Sequence, residues 1–339
     1  MKELTEIVTR MAGKRILVIG DMIADIYLEG RIARISREAP VLVLEYERER
    51  VVAGGAANVV NNAATLGGAP IAVGLVGDDR GGEGLKAILW ENGAQVEALL
   101  TEPGRPTIAK TRIVAGGRET VSQQIVRVDR DSRAPLAPET ETALETKVTA
   151  VLSEIDGLIL SDYGGGVLTD GLRRRVIDGC RRAGVATMVD SRYAIRQFTG
   201  VDYVKQNDTE LAAAVGRTLS TEAELRLAGR ELLDRIGGKG VLVTRGAKGM
   251  TLFEAEGKVT DIPVPDKSEV YDVSGAGDTS VAAFMLALAA DASPVEAARI
   301  ANVAAGIAVR KLGTATVSAA ELCDVLGKQE GKTDEGYPG

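Results

Sequence analysis

The 339-residue chain contains no histidine. That absence removes Ser-His-Asp and Cys-His nucleophilic catalysis, and with them histidine-ligated zinc and iron centres. A general base here has to be a carboxylate, a lysine, a tyrosine or a cysteine. Any divalent ion has to be a hard one held by oxygen. Cysteine is scarce too. Cys180 and Cys323 lie far apart in helix-like stretches and read as small buried residues in a reduced cytoplasm, not as a disulfide. No apolar run reaches the roughly 20 residues of a membrane span, and Met1-Lys-Glu-Leu-Thr-Glu6 lacks the pattern of a signal peptide. Positive charge is not in excess: 41 Lys and Arg stand against 48 Asp and Glu, a net charge of −7, which argues against a nucleic-acid surface. Aromatic residues are only 3%, so tight helix-on-sheet packing through Gly, Ala and Val is expected. With 45% hydrophobic and 26% charged residues, the chain is globular, long enough for one large α/β domain with an appendage or for two domains.

What is present is organised around Val270-Tyr-Asp-Val-Ser-Gly-Ala-Gly-Asp-Thr-Ser-Val-Ala-Ala-Phe284. Polar residues pass through Gly275, Ala276 and Gly277 into an apolar run with no breaker until Asp291. This is a glycine-rich turn feeding a helix N-terminus, where converging N–H groups and the helix dipole suit an anion such as a phosphate. Asp278 follows the nest at once. An acid there would repel the anion, so its placement points to chemistry: a carboxylate accepting a proton from an attacking hydroxyl while the N–H groups hold a transferring phosphoryl group. The plainer alternative is an ordinary turn with Asp as a helix-start residue.

Lys14-Arg-Ile-Leu-Val-Ile-Gly20 is a continuous apolar strand, and Asp21 to Asp25 follow where ligands bind in open α/β sheets. A carboxylate at Asp25 suits sugar hydroxyls because it accepts two hydrogen bonds at once; the alternative is a solvated loop acid. Gly54 and Gly55 open a helix and bring backbone close to a ligand, with Asn58 able to donate and accept toward hydroxyls; the plainer alternative is a helix start with small packing residues. Extended segments at 26–28, 41–46, 107–114 and 121–128, the last two flanking a turn at 115–119, suggest a small sheet standing off the main domain. An exposed face on such a sheet often pairs with a second copy. From Ile71 onward strands (71–76, 157–161, 186–190, 203–205, 240–244, 250–254) alternate with helices (80–92, 139–152, 169–183, 208–215, 221–236, 276–290, 294–310, 318–326). That pattern means a largely parallel sheet covered on both faces. Residues 327–339 read as a frayed tail. Asn207-Asp-Thr-Glu210 follows a strand and fits either an N-cap with a capping-box Glu or a pair of oxygen donors on one helical face.

Asp272-Val-Ser-Gly-Ala-Gly-Asp278 resembles the signature of the ribokinase (PfkB) family of sugar kinases. The resemblance extends in order through Asp25, Gly54-Gly55, Asn207/Glu210 and Thr244-Arg-Gly246, nearly the whole chain. It implies an α/β, ribokinase-like three-layer sandwich over residues 1–326, its mostly parallel sheet covered by helices on both faces. Lid strands from about 26–50 and 106–128 would close over the sugar and exclude water. It implies Asp278 as catalytic base and Gly275, Ala276 and Gly277 as anion hole. Asp25, Gly54, Gly55 and Asn58 would contact the sugar. Thr244, Gly246 and Gly249 would contact the nucleotide, with Asn302 beside adenine where small residues on its helix admit a flat ring. Asn207 and Glu210 would position Mg²⁺ through water beside the phosphates of ATP, and a monovalent cation stays open.

Within the family, Arg34-Ile-Ser-Arg-Glu-Ala-Pro-Val41, Gln123-Gln-Ile-Val-Arg-Val-Asp129 and the segment from Ala301 to Ser318 are similar to the bacterial D-glycero-β-D-manno-heptose 7-phosphate kinases, which phosphorylate the anomeric hydroxyl. The resemblance covers the kinase portion and leaves no stretch for the nucleotidyltransferase domain that some of them carry. A substrate phosphate would call on Arg34, Arg37, Lys110, Arg112 or Arg192. The chain departs from these kinases where they read Asp-Pro-Lys (here Asp190-Ser191-Arg192) and Thr-Pro-Asn (here Lys205-Gln206-Asn207), and in a longer lid hairpin around 116–120. Another sugar, sugar phosphate or nucleoside therefore remains an alternative substrate. A silent sugar- or nucleotide-binding regulator is disfavoured by the retained Asp278. A nicotinamide oxidoreductase is disfavoured because no G-x-G-x-x-G follows Gly20. The expected partners are a small sugar or sugar phosphate and ATP, with a homodimer through the lid sheet, no nucleic acid, no membrane, and a cytoplasmic setting.

Overall fold

A computed structural model describes residues 2–116, 122–132, 134–264, 270–311 and 313–334. In chain order the elements begin with α1 (Lys2–Arg10), β1 (Arg15–Gly20), β2 (Met22–Ile35), β3 (Leu42–Gly55), α2 (Ala56–Thr65), β4 (Ala69–Val76), α3 (Arg80–Glu91), β5 (Gln95–Thr101), β6 (Ile108–Gly116) and β7 (Gln123–Arg130). Then come α4 (Pro138–Val151), β8 (Gly157–Asp162), α5 (Asp170–Ala183), β9 (Ala186–Ser191), β10 (Tyr203–Asn207), α6 (Asp208–Val215), α7 (Glu222–Ile236) and β11 (Gly240–Thr244). The chain closes with β12 (Met250–Glu254), β13 (Val259–Ile262), α8 (Ala276–Ala289), α9 (Pro294–Ala308) and α10 (Ala319–Asp334).

Among the described residues, nine strands form one sheet in the order β13-β12-β11-β10-β9-β8-β1-β4-β5. From β5 to β11 all pairs are parallel, and β12 and β13 finish one edge antiparallel. The strands are continuous Val, Ile and Leu because both faces are covered. Ile16 and Val18 of β1 belong to one core with α2, α8 and α9, while Leu17 and Ile19 belong to another with α4, α5 and α7. Helix starts follow their caps: Thr221 with Glu224 on α7, and Ser293 with Glu296 on α9, where Pro294 takes the first turn. The three-layer α/β sandwich expected from the alternation of strands and helices is the architecture observed.

The lid is a separate four-stranded sheet in the order β3-β2-β6-β7. Its strands are longer than their most apolar cores suggest. β2 and β3 each run 14 residues and pair from Met22↔Gly55 out to Ile35↔Leu42, so Asp25 and Gly54 lie inside the lid sheet, not on loops beside it. The 115–119 turn has residues 117–119 outside the described residues, as does most of the longer hairpin around 116–120.

Three elements escaped the periodicity. α1 tucks Leu4, Ile7 and Val8 into the core, β5 forms the far edge of the main sheet, and β13 closes the other edge. Helix α10 continues past Gly327 to Asp334, where the sequence suggested a frayed tail; residues 335–339 lie outside the described residues.

Candidate active site

The predicted residues Arg192, Asn207 and Thr244 gather at the C-terminal ends of β9, β10 and β11, and β1 and β8 deliver Asp21 and Tyr163 beside them. Opposite them, α8 begins at Gly275 with φ 80°, a left-handed turn that only glycine takes freely. A Cβ on Gly275 would lie 2.7 Å from Asn58 Nδ2, and one on Gly277 would lie 2.7 Å from Lys205 Nζ. The nest is thus bare because side chains from α2 and β10 press against it.

Asp278, in the first turn of α8, is 5% exposed. Its Oδ2 accepts a hydrogen bond from Asn58 Nδ2 at 2.7 Å, and its Oδ1 accepts one from the Tyr163 hydroxyl at 2.9 Å. Burial raises its pKa from 3.8 to about 6; the charge of Asp190 pushes the same way, while the Asn58 and Tyr163 bonds and Lys205 oppose. A carboxylate so placed is ionised at neutral pH and close to the proton affinity a general base needs.

Asn58 differs from its expectation. It is fully buried, donates to Asp278 and is itself held by Asn62 Nδ2, so it supports the acid instead of facing hydroxyls. Asp25 is 4% exposed, packs its Oδ2 where a Gly54 Cβ would sit, and accepts from Arg112 Nη1 at 2.6 Å. Arg112 is therefore committed to Asp25, not free for a phosphate. Gly55 takes φ 55° and lies against the Asp21 carbonyl. Lys110 Nζ and Arg192 Cζ stand 5.6 and 5.2 Å from the centre of the Tyr163 ring. Arg34 and Arg37 are exposed.

Asn207 and Glu210 form a reciprocal capping box at the start of α6: Asn207 Oδ1 receives the Glu210 N–H at 2.7 Å, and Glu210 Oε2 receives the Asn207 N–H at 2.9 Å. The capping box is the alternative observed, and Glu210 Oε1 remains outside it, 3.9 Å from Arg192 Nε. Thr244 pairs with Asn207 across the sheet, and Gly246 is exposed just beyond it. Gly249 and Asn302 differ from expectation. The bare face of Gly249 is filled by the Ile262 carbonyl, and Asn302 donates to the Pro263 carbonyl at 2.8 Å. Of the small residues of α9, Ala301 and Ala304 are fully buried in the core that includes α8, while Ala305 and Gly306 are half-buried with open space beside Gly306.

Several site groups carry no sequence prediction. Lys205 is 5% exposed and donates to Asp190 Oδ2 at 2.8 Å across adjacent strands; the charges of Asp190, Glu210 and Asp278 outweigh the burial that lowers its pKa and keep it raised. A lysine inside the apolar strand Tyr203-Val-Lys205 was the available signal. Tyr163 follows β8 and precedes Gly164-Gly165-Gly166, the same pattern of strand end and glycine turn that singled out Asp25. Asp21 is 1% exposed and accepts the N–H groups of Tyr163 and Gly165.

Residues 14–321 match the pfkB family of carbohydrate kinases. The chain is 39% identical over 333 residues to bifunctional protein HldE of Paramagnetospirillum magneticum, covering 97% of this chain and 67% of that protein. It is 40% identical over 324 residues to bifunctional protein HldE of Gluconacetobacter diazotrophicus, covering 95% and 66%. The chain thus spans about two thirds of the length of these relatives. Among solved structures, phosphofructokinase-2 from Escherichia coli in complex with substrates and products aligns at TM-score 0.75 and 22% identity, over 94% of this chain and all of that one. Ribokinase from Arabidopsis thaliana complexed with ribose and ATP aligns at TM-score 0.71 and 22% identity, over 93% and 99%. Among the described residues no helix is long and apolar enough to cross a membrane. With the family match covering most of the sequence and relatives near 40% identity, the chain belongs to the pfkB family of carbohydrate kinases.

Proposed function

We propose that this sugar kinase transfers the γ-phosphoryl group of ATP to the anomeric hydroxyl of D-glycero-β-D-manno-heptose 7-phosphate, giving the 1,7-bisphosphate. The observation that carries the reading is the buried Asp278 carboxylate, its pKa raised to about 6, set at the mouth of the Gly275–Gly277 nest. Asp278 takes the proton of the attacking hydroxyl as its oxygen bonds to phosphorus and the bridging bond to ADP breaks. The nest N–H groups and the Lys205 ammonium, packed on Gly277, hold the charge on the transferring group. ATP as co-substrate is supported by the solved relative that holds ribose and ATP. Thr244 and Gly246 line the nucleotide end. Asp25, held by Arg112, faces the sugar hydroxyls.

Mg²⁺ fits this site as a water-rich ion. Among the described residues no cluster of three acids could cage a metal, and the one carboxylate oxygen left by the cap, Glu210 Oε1, suits an ion that keeps its waters and takes phosphate oxygens. When bound it would neutralise phosphate charge; Glu210 and Asn207 would hold it through water. The heptose phosphate is supported by the three similar stretches named above and by Lys110 and Arg192, two cations at one ring beside the base. A cytoplasmic setting is supported by two unpaired cysteines, one of them, Cys180, buried with its pKa pushed up to about 12. A homodimer through the lid is supported by exposed Ile35, Leu42, Tyr46, Val126 and Val128 on that sheet.

The substrate is tested directly. Heptose 7-phosphate is expected to be used at least about tenfold more efficiently (kcat/KM) than the unphosphorylated sugar, about 1.4 kcal/mol of transition-state binding. Lys110→Met should shrink that ratio and leave use of the neutral sugar nearly unchanged. Inert heptose 7-phosphate beside brisk turnover of a neutral sugar ends the substrate assignment and leaves the kinase.

The pH profile tests the base. Wild-type kcat/KM should fall about tenfold per unit as pH drops below about 6, where Asp278 takes up a proton. Asp278→Asn should lower kcat at least about 10²-fold and abolish that limb. Near-normal turnover by the folded variant removes Asp278 from the mechanism.

Glu210→Gln should raise the Mg²⁺ concentration for half-maximal rate. If only the thermal midpoint drops and the Mg²⁺ response stays put, Glu210 is a cap and nothing more.

For the assembly, sedimentation should give a dimer for the wild type and a monomer for Val126→Lys/Val128→Lys, two substitutions on one face of β7. A wild-type monomer at working concentration rules the lid dimer out.

A further inference from the structure

Tyr163 touches both the acid and two cations of this site. Its hydroxyl donates to Asp278 Oδ1 at 2.9 Å. Its ring lies within cation–π range, about 6 Å, of both Lys110 and Arg192. The loop that carries it has no slack. Asp21 Oδ2 accepts the N–H groups of Tyr163 and Gly165, each at 2.8 Å, and its Oδ1 accepts that of Val167 at 3.3 Å. Gly164 and Gly166 take φ of 79° and 87°, and a Cβ on Gly165 would lie 2.7 Å from Asp21 Oδ1. Three successive glycines therefore wrap the chain around one buried acid and leave the Tyr163 side chain in a single position.

We propose that Tyr163 is the positioning residue of the site: its hydroxyl aims and stabilises the Asp278 carboxylate for proton transfer, and its ring ties that carboxylate to the cations that take the substrate's phosphate. The second half rests on the phosphorylated-sugar reading above; the first does not. The division of labour at Asp278 is clear from its two donors. Asn58 is locked on Oδ2 by Asn62, from within one helix. Tyr163 holds Oδ1 from across the sheet ends, and it is the donor linked to the substrate side. Burial, then the Asp278 charge, raise the pKa of the hydroxyl well above its ordinary value, so it remains a donor at any working pH. Without it Asp278 loses one charged hydrogen bond; its anion is less stable and its carboxylate is held on Oδ2 alone.

Tyr163→Phe keeps the ring and removes the hydroxyl, so it separates the two roles. With the sugar that the wild type uses best, kcat should fall at least about tenfold while KM for the sugar stays within about twofold. The acidic limb should move up by about one pH unit, the size of one lost charged hydrogen bond. The preference for phosphorylated over neutral sugar should be unchanged. Tyr163→Leu, which removes the ring as well, should also lower that preference at least about threefold. A Tyr163→Phe enzyme with wild-type kcat and an unmoved limb overturns the hydroxyl's role. A Tyr163→Leu enzyme that keeps the preference overturns the ring's. A wild type indifferent to the substrate's phosphate sinks the substrate reading and the ring's role with it, while the limb of Tyr163→Phe still decides the hydroxyl's.

Discussion

A carboxylate held out of water at the positive end of a helix is the constraint on which this site depends. Burial alone would neutralise Asp278, and three groups keep that from going to completion: Asn58, Tyr163 and Lys205. Its place in the first turn of α8 adds the helix dipole on the same side. The balance leaves a pKa of about 6, above the 3.8 of the unfolded chain. The folded state therefore holds this proton more tightly than the unfolded one. This group's contribution to stability is full below about pH 4 and is lost as pH rises through about 6, the reverse of a salt-bridged acid. Ionised Asp278 therefore weakens the fold relative to its protonated form.

The stabilising groups come from different layers, which is why the close packing of the fold bears on the chemistry. Asn58 and Asn62 sit on α2, and Thr279 of α8 donates to Asn62 Oδ1 at 2.9 Å, so a buried amide network joins the two helices behind the base. Lys205 reaches the nest from the sheet because Gly277 has no side chain to block it. A methyl group on Gly275 would strike Asn58 and one on Gly277 would strike Lys205, so the glycines are required by their neighbours.

Much of this was legible in order and identity. Gly275 to Asp278 and the Asn207/Glu210 pair were placed by local rules because each opens a helix, whereas Asp25, placed after a strand end, lies inside β2. What was not legible depends on partners distant in sequence. Asn58 and Asp278 are 220 residues apart, Arg112 and Asp25 87 apart, and Tyr163 and Asp278 115 apart. Nothing local announces that Asn302 bonds the Pro263 carbonyl or that the Ile262 carbonyl lies against Gly249. The edge strands β5 and β13 were missed for a related reason, since a strand covered on one side has neither a long apolar run nor a strict alternation.

The two tripeptides in which the chain departs from the heptose 7-phosphate kinases are one structural change, not two. Lys205 lies opposite Asp190 in the β9–β10 register, and its ammonium binds the Asp190 carboxylate. Gln206 Nε2 donates to the Ser191 carbonyl at 3.0 Å, and Ser191 Oγ donates to Asp162 at 2.6 Å. Each residue new at one strand end is thus bonded either to the other strand end or to the end of β8 beside it. Replacing two prolines, which have no N–H and no polar side chain, by Ser and Gln gives polar groups that must be satisfied in a buried place, and the paired substitutions satisfy most of them together. Arg192 keeps a cation where those kinases carry lysine, now with a planar fork beside Tyr163. The departures therefore rewire the strand ends beneath the nest while keeping a cation beside Tyr163. A coupled change of that kind is compatible with the same reaction, because it adds a cation at the nest and leaves the base and its two donors in place.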